Sequence, residues 1–161
     1  MNQPQLSQIP STNTGMLMRA PVAEVFEAIV NPTVTTKFWF TKGSGKLEIG
    51  KEVLWQWEMY NASATVTTKV LEPNQRIVIE WLGYKGLTTV EWTFAPQPDG
   101  TTFVTVTETG FVGSGDELVQ QVTDSTQGFT LMLAGMKAWL EHGIQLNLVA
   151  DRYPHGIVEH S

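Results

Sequence analysis

Between Glu52 and Gly110 the chain alternates apolar and polar residues in one short segment after another, with a turn signal between most of them, and this pattern constrains the fold more than any other feature. Val53, Trp55, Trp57 and Met59 fall on one face of the first segment, and Glu52, Leu54, Gln56 and Glu58 on the other. Ala64, Val66, Thr68 and Val70 continue the period. Glu72-Pro73-Asn74-Gln75 then turns the chain, and Ile77, Ile79 and Trp81 alternate with Val78, Glu80 and Leu82. Gly83 and Gly86 mark the next turn, followed by Val90, Trp92 and Phe94 on one face. Pro96-Gln97-Pro98-Asp99-Gly100 is the clearest turn of all, and beyond it Val104, Val106 and Glu108 share a face of the last segment, Thr102–Gly110. Strands joined by such short connections pair antiparallel as a meander. A further short strand is predicted over Lys46–Ile49, between Gly45 and Gly50.

Helical periodicity flanks the strands. Pro21 suits a first helical turn, Val22, Val25, Phe26 and Ile29 follow at helical spacing, and Asn31-Pro32 ends the helix. A short helical turn is expected over Thr33–Phe40. After Gly113-Ser114-Gly115, with Asp116 as a cap, a long helix is predicted to about Leu148. Its apolar stripe is Leu118, Val122, Phe129, Met132, Leu133, Met136, Trp139 and Leu140, and Gly128 is a point where it bends or restarts. The class is α+β: a curved antiparallel sheet of six or seven strands around one long C-terminal helix, with one or two short helices near the N-terminus. Residues 16–150 form the domain. Residues 1–15, polar and rich in Gln, Ser, Thr, Asn and Pro, are either a tail or a first strand, and 151–161 read as a tail.

This arrangement raises the question of a cavity. Six or seven strands at about 4.8 Å make a sheet roughly 30 Å wide, whereas one helix is about 10 Å across. The sheet must curl, and bulky side chains must fill its flanks or space remains. Trp55, Trp57, Trp81, Trp92 and Phe94 point inward, with Met132 and Met136 facing them from the helix. They either close-pack or wall a pocket, and methionine adapts to varied ligands.

Composition narrows the chemistry. The 161 residues carry a net charge of −6 with scattered basic residues, which argues against a nucleic-acid partner. Lys37, Lys42, Lys46 and Lys51 read as a solvated face. The chain has no cysteine, so disulfides, thiol nucleophiles and Cys-ligated zinc are excluded, and a cytoplasmic location is compatible. No apolar run reaches the length of a membrane span, and Met1–Leu6 does not read as a secretory signal. His142, His155 and His160 lack metal-ligand spacing, and no Gly-rich phosphate loop or Gly-x-Ser-x-Gly elbow occurs. No catalytic residue, metal or cofactor is therefore expected.

Several segments together resemble a known family. Ala20-Pro21-Val22-Ala23-Glu24-Val25-Phe26-Glu27-Ala28-Ile29 resembles its opening helix, and Phe38-Trp39-Phe40 stands where it usually has Trp-Phe. The run Asp99–Phe111 resembles its last hairpin. Gly128-Phe129 followed by Leu133, Met136, Leu140, Glu141 and Gly143 resembles its helix signature. Over about residues 16–148 the chain is similar to the START/SRPBCC superfamily, whose fold is the helix-grip. Within it, the chain looks like the group related to the C-terminal domain of the activator of the ninety-kilodalton heat-shock protein ATPase. The resemblance implies binding of a small apolar or amphipathic molecule without catalysis. It also implies two alternatives, a stress-related, co-chaperone-like module with a chaperone partner, or a cyclase-like or hydrolase-like enzyme on the same fold.

With Trp39 and Phe129 added, the candidate ligand-binding residues are Trp39, Trp55, Trp57, Trp81, Trp92, Phe94, Glu108, Phe129, Met132 and Met136. Glu108 is the one inward carboxylate of the strands. It is either a rim residue paired with Arg, Lys or a Trp N–H, a polar anchor for a ligand, or an acid–base group. Leu54, Val78 and Leu82 on the outward sheet face leave a homodimer open.

Overall fold

A computed structural model describes residues 6–156. Seven strands form one antiparallel sheet in the order β1-β7-β6-β5-β4-β3-β2. They are β1 (Thr12–Met18), β2 (Lys42–Gly43), β3 (Glu52–Trp57), β4 (Ala62–Glu72), β5 (Arg76–Leu82), β6 (Leu87–Pro96) and β7 (Thr102–Thr109). The helices are α1 (Val22–Val30), α2 (Pro32–Thr35), α3 (Gly115–His142) and α4 (Leu148–Arg152). This is the helix-grip arrangement. β3 to β7 form the meander that alternation predicts, and β1 closes the order by pairing with β7 from Thr12 opposite Glu108 to Met18 opposite Thr102. The polar N-terminal segment thus supplies the first half of β1, while residues 1–5 lie outside the described residues.

The inward faces follow the period of two. Trp55, Val66, Ile77, Ile79, Val90, Trp92, Val104 and Val106 are all buried, and so is the outward Val78. Leu54 and Leu82 remain exposed. A register shift between Thr68 and Val70 interrupts the β4–β5 ladder, and such a bulge bends the strand and increases its twist.

Four local expectations are corrected. The edge strand is Lys42–Gly43, paired with Trp55 and Gln56, and Lys46–Ile49 contributes only an isolated bridge from Ile49 to Thr68. Pro21 is the N-cap of α1 with extended backbone, one residue before its first turn. The cap of α3 is Ser114, not Asp116: its side chain accepts from the Glu117 N–H while the Glu117 carboxylate accepts from the Ser114 N–H. Finally, α3 runs unbroken through Gly128 and stops at His142, because Gly143 takes the left-handed conformation (φ 65°) that ends helices readily.

α3 is held against β1 by both ends of a polar seam. Thr14 and Thr130 share a hydrogen bond of 2.9 Å. Farther along, Lys137 Nζ donates to Leu17 O at 2.9 Å and to Glu141 Oε2 at 2.6 Å, and the Arg19 N–H donates to the same Glu141 oxygen at 2.9 Å. Burial works to raise the Glu141 pKa, but the Lys137 ammonium and the Arg19 N–H together outweigh it and the net shift is downward.

Candidate functional site

The segment after α2 decides how the space between sheet and helix is used. Thr35 Oγ1 donates to Ala28 O at 2.6 Å and also reaches Asn31 O at 3.0 Å, which ties α2 to the end of α1. Phe38, Trp39 and Phe40 then run beneath α3 and are all buried. The helix comes so close that a Cβ on Gly135 would lie 3.1 Å from Phe38 Cβ and 3.2 Å from its carbonyl oxygen, so only glycine fits this crossing without displacement.

Trp39 becomes the hub of an aromatic cluster. Its ring lies 5.1 Å from Trp55, 5.7 Å from Trp57, 6.0 Å from both Trp81 and Trp92, and 5.7 Å from Phe129. Most pairs are tilted or edge-on, the geometry that aromatic quadrupoles prefer. One tryptophan thus fills much of the gap that a single helix leaves over so wide a sheet.

It does not fill all of it. A cavity of about 420 Å³ remains beside the middle of α3. Trp39, Trp57 and Trp81 wall it on one side, Gln127, Gly128 and Leu131 of α3 on another, and Ala62 and Ala64 of β4 form its shallow wall. The cause is legible in the register. Ala62 stands opposite Trp57 and Ala64 opposite Trp55, so two inward positions of β4 carry a methyl group where neighbouring strands carry indoles. On the helix, a Cβ at Gly128 would meet nothing within 4 Å. Small residues on both walls leave the space open.

The C-terminal segment borders the same cavity. Val149, Arg152 and Tyr153 line it together with Tyr60. The Tyr60 hydroxyl donates to the carbonyls of Val149 and, at 3.2 Å, Ala150, and the rings of Tyr60 and Tyr153 meet edge-on at 6.2 Å. Burial pushes the Tyr60 phenol above its ordinary pKa. Tyr153 donates to Gln127 Oε1 at 3.0 Å and carries the Arg152 guanidinium 4.4 Å above its ring. The stretch expected as a tail from residue 151 is therefore packed as far as Tyr153, and residues 157–161 lie outside the described residues.

A smaller lobe of about 180 Å³ lies alongside and shares Trp39, Trp81, Asp124 and Gly128 with the larger one. Phe129, Ser125 and Glu108 complete its lining. Glu108 is only 5% exposed. Its Oε2 accepts from Trp81 Nε1 at 2.9 Å and Thr88 Oγ1 at 2.6 Å, and its Oε1 accepts from Ser125 Oγ at 2.6 Å. Of the rim reading of this glutamate, the Trp N–H partner is present, with two hydroxyls added, but the carboxylate is buried and not at the rim. Among the described residues no group of three or more His, Asp or Glu side chains has the geometry of a metal site.

Five of the ten sequence-derived residues border the two lobes: Trp39, Trp57, Trp81, Glu108 and Phe129. Trp55, Trp92, Phe94, Met132 and Met136 are buried in the core and do not line them. The sequence reading missed Tyr60, Ala62, Ala64, Asp124, Gln127, Gly128, Leu131 and the C-terminal Arg152 and Tyr153. A signal existed for the helical ones. Asp124, Gln127 and Gly128, two polar residues and a glycine, recur with Leu131 at spacings of three and four, on a stripe beside the main apolar one.

Comparison with known proteins agrees with this architecture. Residues 19–141 match the family described as Activator of Hsp90 ATPase homolog 1-like protein. Protein SSP2350 from Staphylococcus saprophyticus is 31% identical, with a TM-score of 0.73 over 85% of this chain and 96% of that one. The Aha1 of Colwellia psychrerythraea, described as a dimer, is 18% identical with a TM-score of 0.69 over 83% and 98%. CalU16 from Micromonospora echinospora is 17% identical with a TM-score of 0.67 over 86% and 79%. The last two are likenesses of fold. No match was found among curated proteins. With its seven-stranded grip on α3 and a family match across most of its length, the chain belongs to the Activator of Hsp90 ATPase homolog 1-like family, an Aha1-related group of the START/SRPBCC superfamily.

Proposed function

We propose that the protein binds a small apolar or amphipathic molecule in the space between the sheet and α3, without catalysing its conversion. The observation that carries this reading is the cavity of about 420 Å³, within the size range of small-molecule sites, with tryptophan on one wall and alanine and glycine on the others. Apolar side chains make up most of its lining, and Tyr60, Asp124, Gln127, Arg152 and Tyr153 supply polar groups of the kind that fix a ligand's orientation.

The binding partners in this reading are Trp39, Trp57, Trp81, Phe129 and Glu108, with Tyr60, Leu131 and Tyr153 added by the geometry. Trp55, Trp92, Phe94, Met132 and Met136 act behind them as support. The test is a titration of the protein with 1-decanol and with 1-naphthol, followed by tryptophan emission and melting temperature. Saturable quenching with a rise in Tm is expected. An unchanged spectrum and Tm across both would contradict the proposal.

The family description favours one other reading, an activator-like interaction with a chaperone ATPase. The ATPase rate of the cognate ninety-kilodalton chaperone, measured with and without this protein, separates the two. Stimulation would favour the interaction module, and an unchanged rate would leave the ligand-binding reading alone.

A further inference from the structure

The smaller lobe differs from the larger in chemistry, and the difference points to one kind of polar group. We infer that the ligand is an amphipathic primary amine, whose ammonium group occupies the lobe beside Glu108 while its apolar body extends into the larger lobe. This deepens the proposal of a ligand-binding cavity and rests on it.

Three features converge. First, Trp39, Trp81 and Phe129 surround the lobe, with Trp81 and Phe129 stacked at 6.0 Å and Trp39 at 5.7 Å from Phe129. Aromatic side chains lining a site attract a cation that reaches an open ring face, most strongly where water is displaced. Second, the buried carboxylate on its floor is held by neutral donors alone. Trp81, Thr88 and Ser125 supply its three hydrogen bonds, and among the described residues no lysine or arginine lines the lobe. Third, the carboxylate is unevenly used. Oε2 takes two hydrogen bonds and Oε1 takes one, so Oε1 retains acceptor capacity on the side of Ser125, itself a lining residue.

Asp124 adds a second negative group at the boundary of the two lobes, with one oxygen occupied by Gln120 Nε2 at 2.9 Å. The cationic Arg152 sits at the opposite side of this division. It lines the larger lobe only, with its guanidinium over Tyr153. A carboxylate headgroup would find acids and aromatic faces in the small lobe, whereas an ammonium finds a charge partner, π faces and a free acceptor. An alkyl alcohol satisfies only the last.

The experiment compares n-decylamine, 1-decanol and n-decanoate, each below its self-association concentration, by tryptophan quenching and thermal shift. The amine should bind about tenfold more tightly than the alcohol, and the carboxylate more weakly than either. In Glu108→Gln the preference for amine over alcohol should fall to within about threefold, and a ratio unchanged from the wild type would overturn the assignment. Asp124→Asn provides a second variant on the helix should the first fail to fold, and it should reduce the same ratio about threefold. Glu24→Gln, on the exposed face of α1, changes net charge by the same amount and should leave the ratio unaltered. If alcohol binds as tightly as amine, or if Glu24→Gln lowers the ratio as much as Asp124→Asn does, the amine assignment is overturned and the cavity reading stands. If none of the three probes binds, the cavity reading itself falls, and this inference with it.

Discussion

At the scale of single residues, Trp39 shows what periodicity can and cannot reveal. Its local pattern, Phe38-Trp39-Phe40, is three aromatics in a row and carries no period at all; only family resemblance singled it out. Its role emerges from contacts to β3, β5, β6 and α3 at once. Because it plugs the space between sheet and helix, Trp39→Ala should cost about 3–5 kcal/mol, readable by chemical denaturation. A loss below about 1 kcal/mol would mean that the cluster closes over the gap. Glu108 was legible differently. Alternation with Val104 and Val106 assigned it to the inward face, yet its three donors come from β5, β6 and α3, and no local pattern encodes such a meeting. Alternation likewise assigned Trp55 and Trp92 correctly to the inner face without distinguishing core from cavity wall. Both are buried in the core, whereas Trp57, opposite Ala62, borders the cavity.

At the scale of elements, the long strands were readable because each repeats its period several times, whereas β2 has two residues and no period to read. The α3 boundaries were misread by the chemistry of their caps. Ser114 and Asp116 are both good N-cap residues, and the reciprocal bond with Glu117 selects Ser114. Ser114→Ala should destabilise the protein by about 1 kcal/mol in equilibrium denaturation.

Glu117 also links this cap to the β5–β6 turn through an ion pair with Lys85. The Lys85 ammonium, and then the Ser114 N–H, lower the Glu117 pKa from 4.5 to about 2. A depressed folded value means that the contribution is fully present above the unfolded value, near 4.5, and is lost as pH falls toward 2. Wild-type protein should therefore lose stability faster than Lys85→Met between pH 4.5 and 2, in paired thermal melts. Parallel acid profiles would count against the clasp. At the other end of α3, Glu141→Ala removes the acceptor shared by Lys137 and Arg19 and should cost about 2 kcal/mol in urea denaturation.

At the scale of the whole molecule, the mismatch between a sheet of six or seven strands and one helix is legible in the sequence, and so is the need to fill it. The manner of filling was not. The chain uses α1, α2 and the Phe38–Phe40 segment at one end and the C-terminal residues through Tyr153 at the other, leaving an aromatic-walled space between. The Tyr60–Tyr153 contact joins residues far apart in sequence, which explains why the C-terminal stretch read as a tail. Among the described residues no helix is long and apolar enough to cross a membrane.

The cavity claim is tested most directly by Gly128→Leu. This position borders both lobes, its added Cβ meets nothing within 4 Å, and glycine inside a helix costs about 1 kcal/mol relative to alanine. The variant should therefore fold with a Tm at or above that of the wild type while its side chain occupies the space a ligand would take. In a fluorescence titration with 1-decanol, the account predicts saturable binding to the wild type and at least tenfold weaker binding to the folded Gly128→Leu protein. Equal affinity for both would place the bound molecule elsewhere and contradict the account.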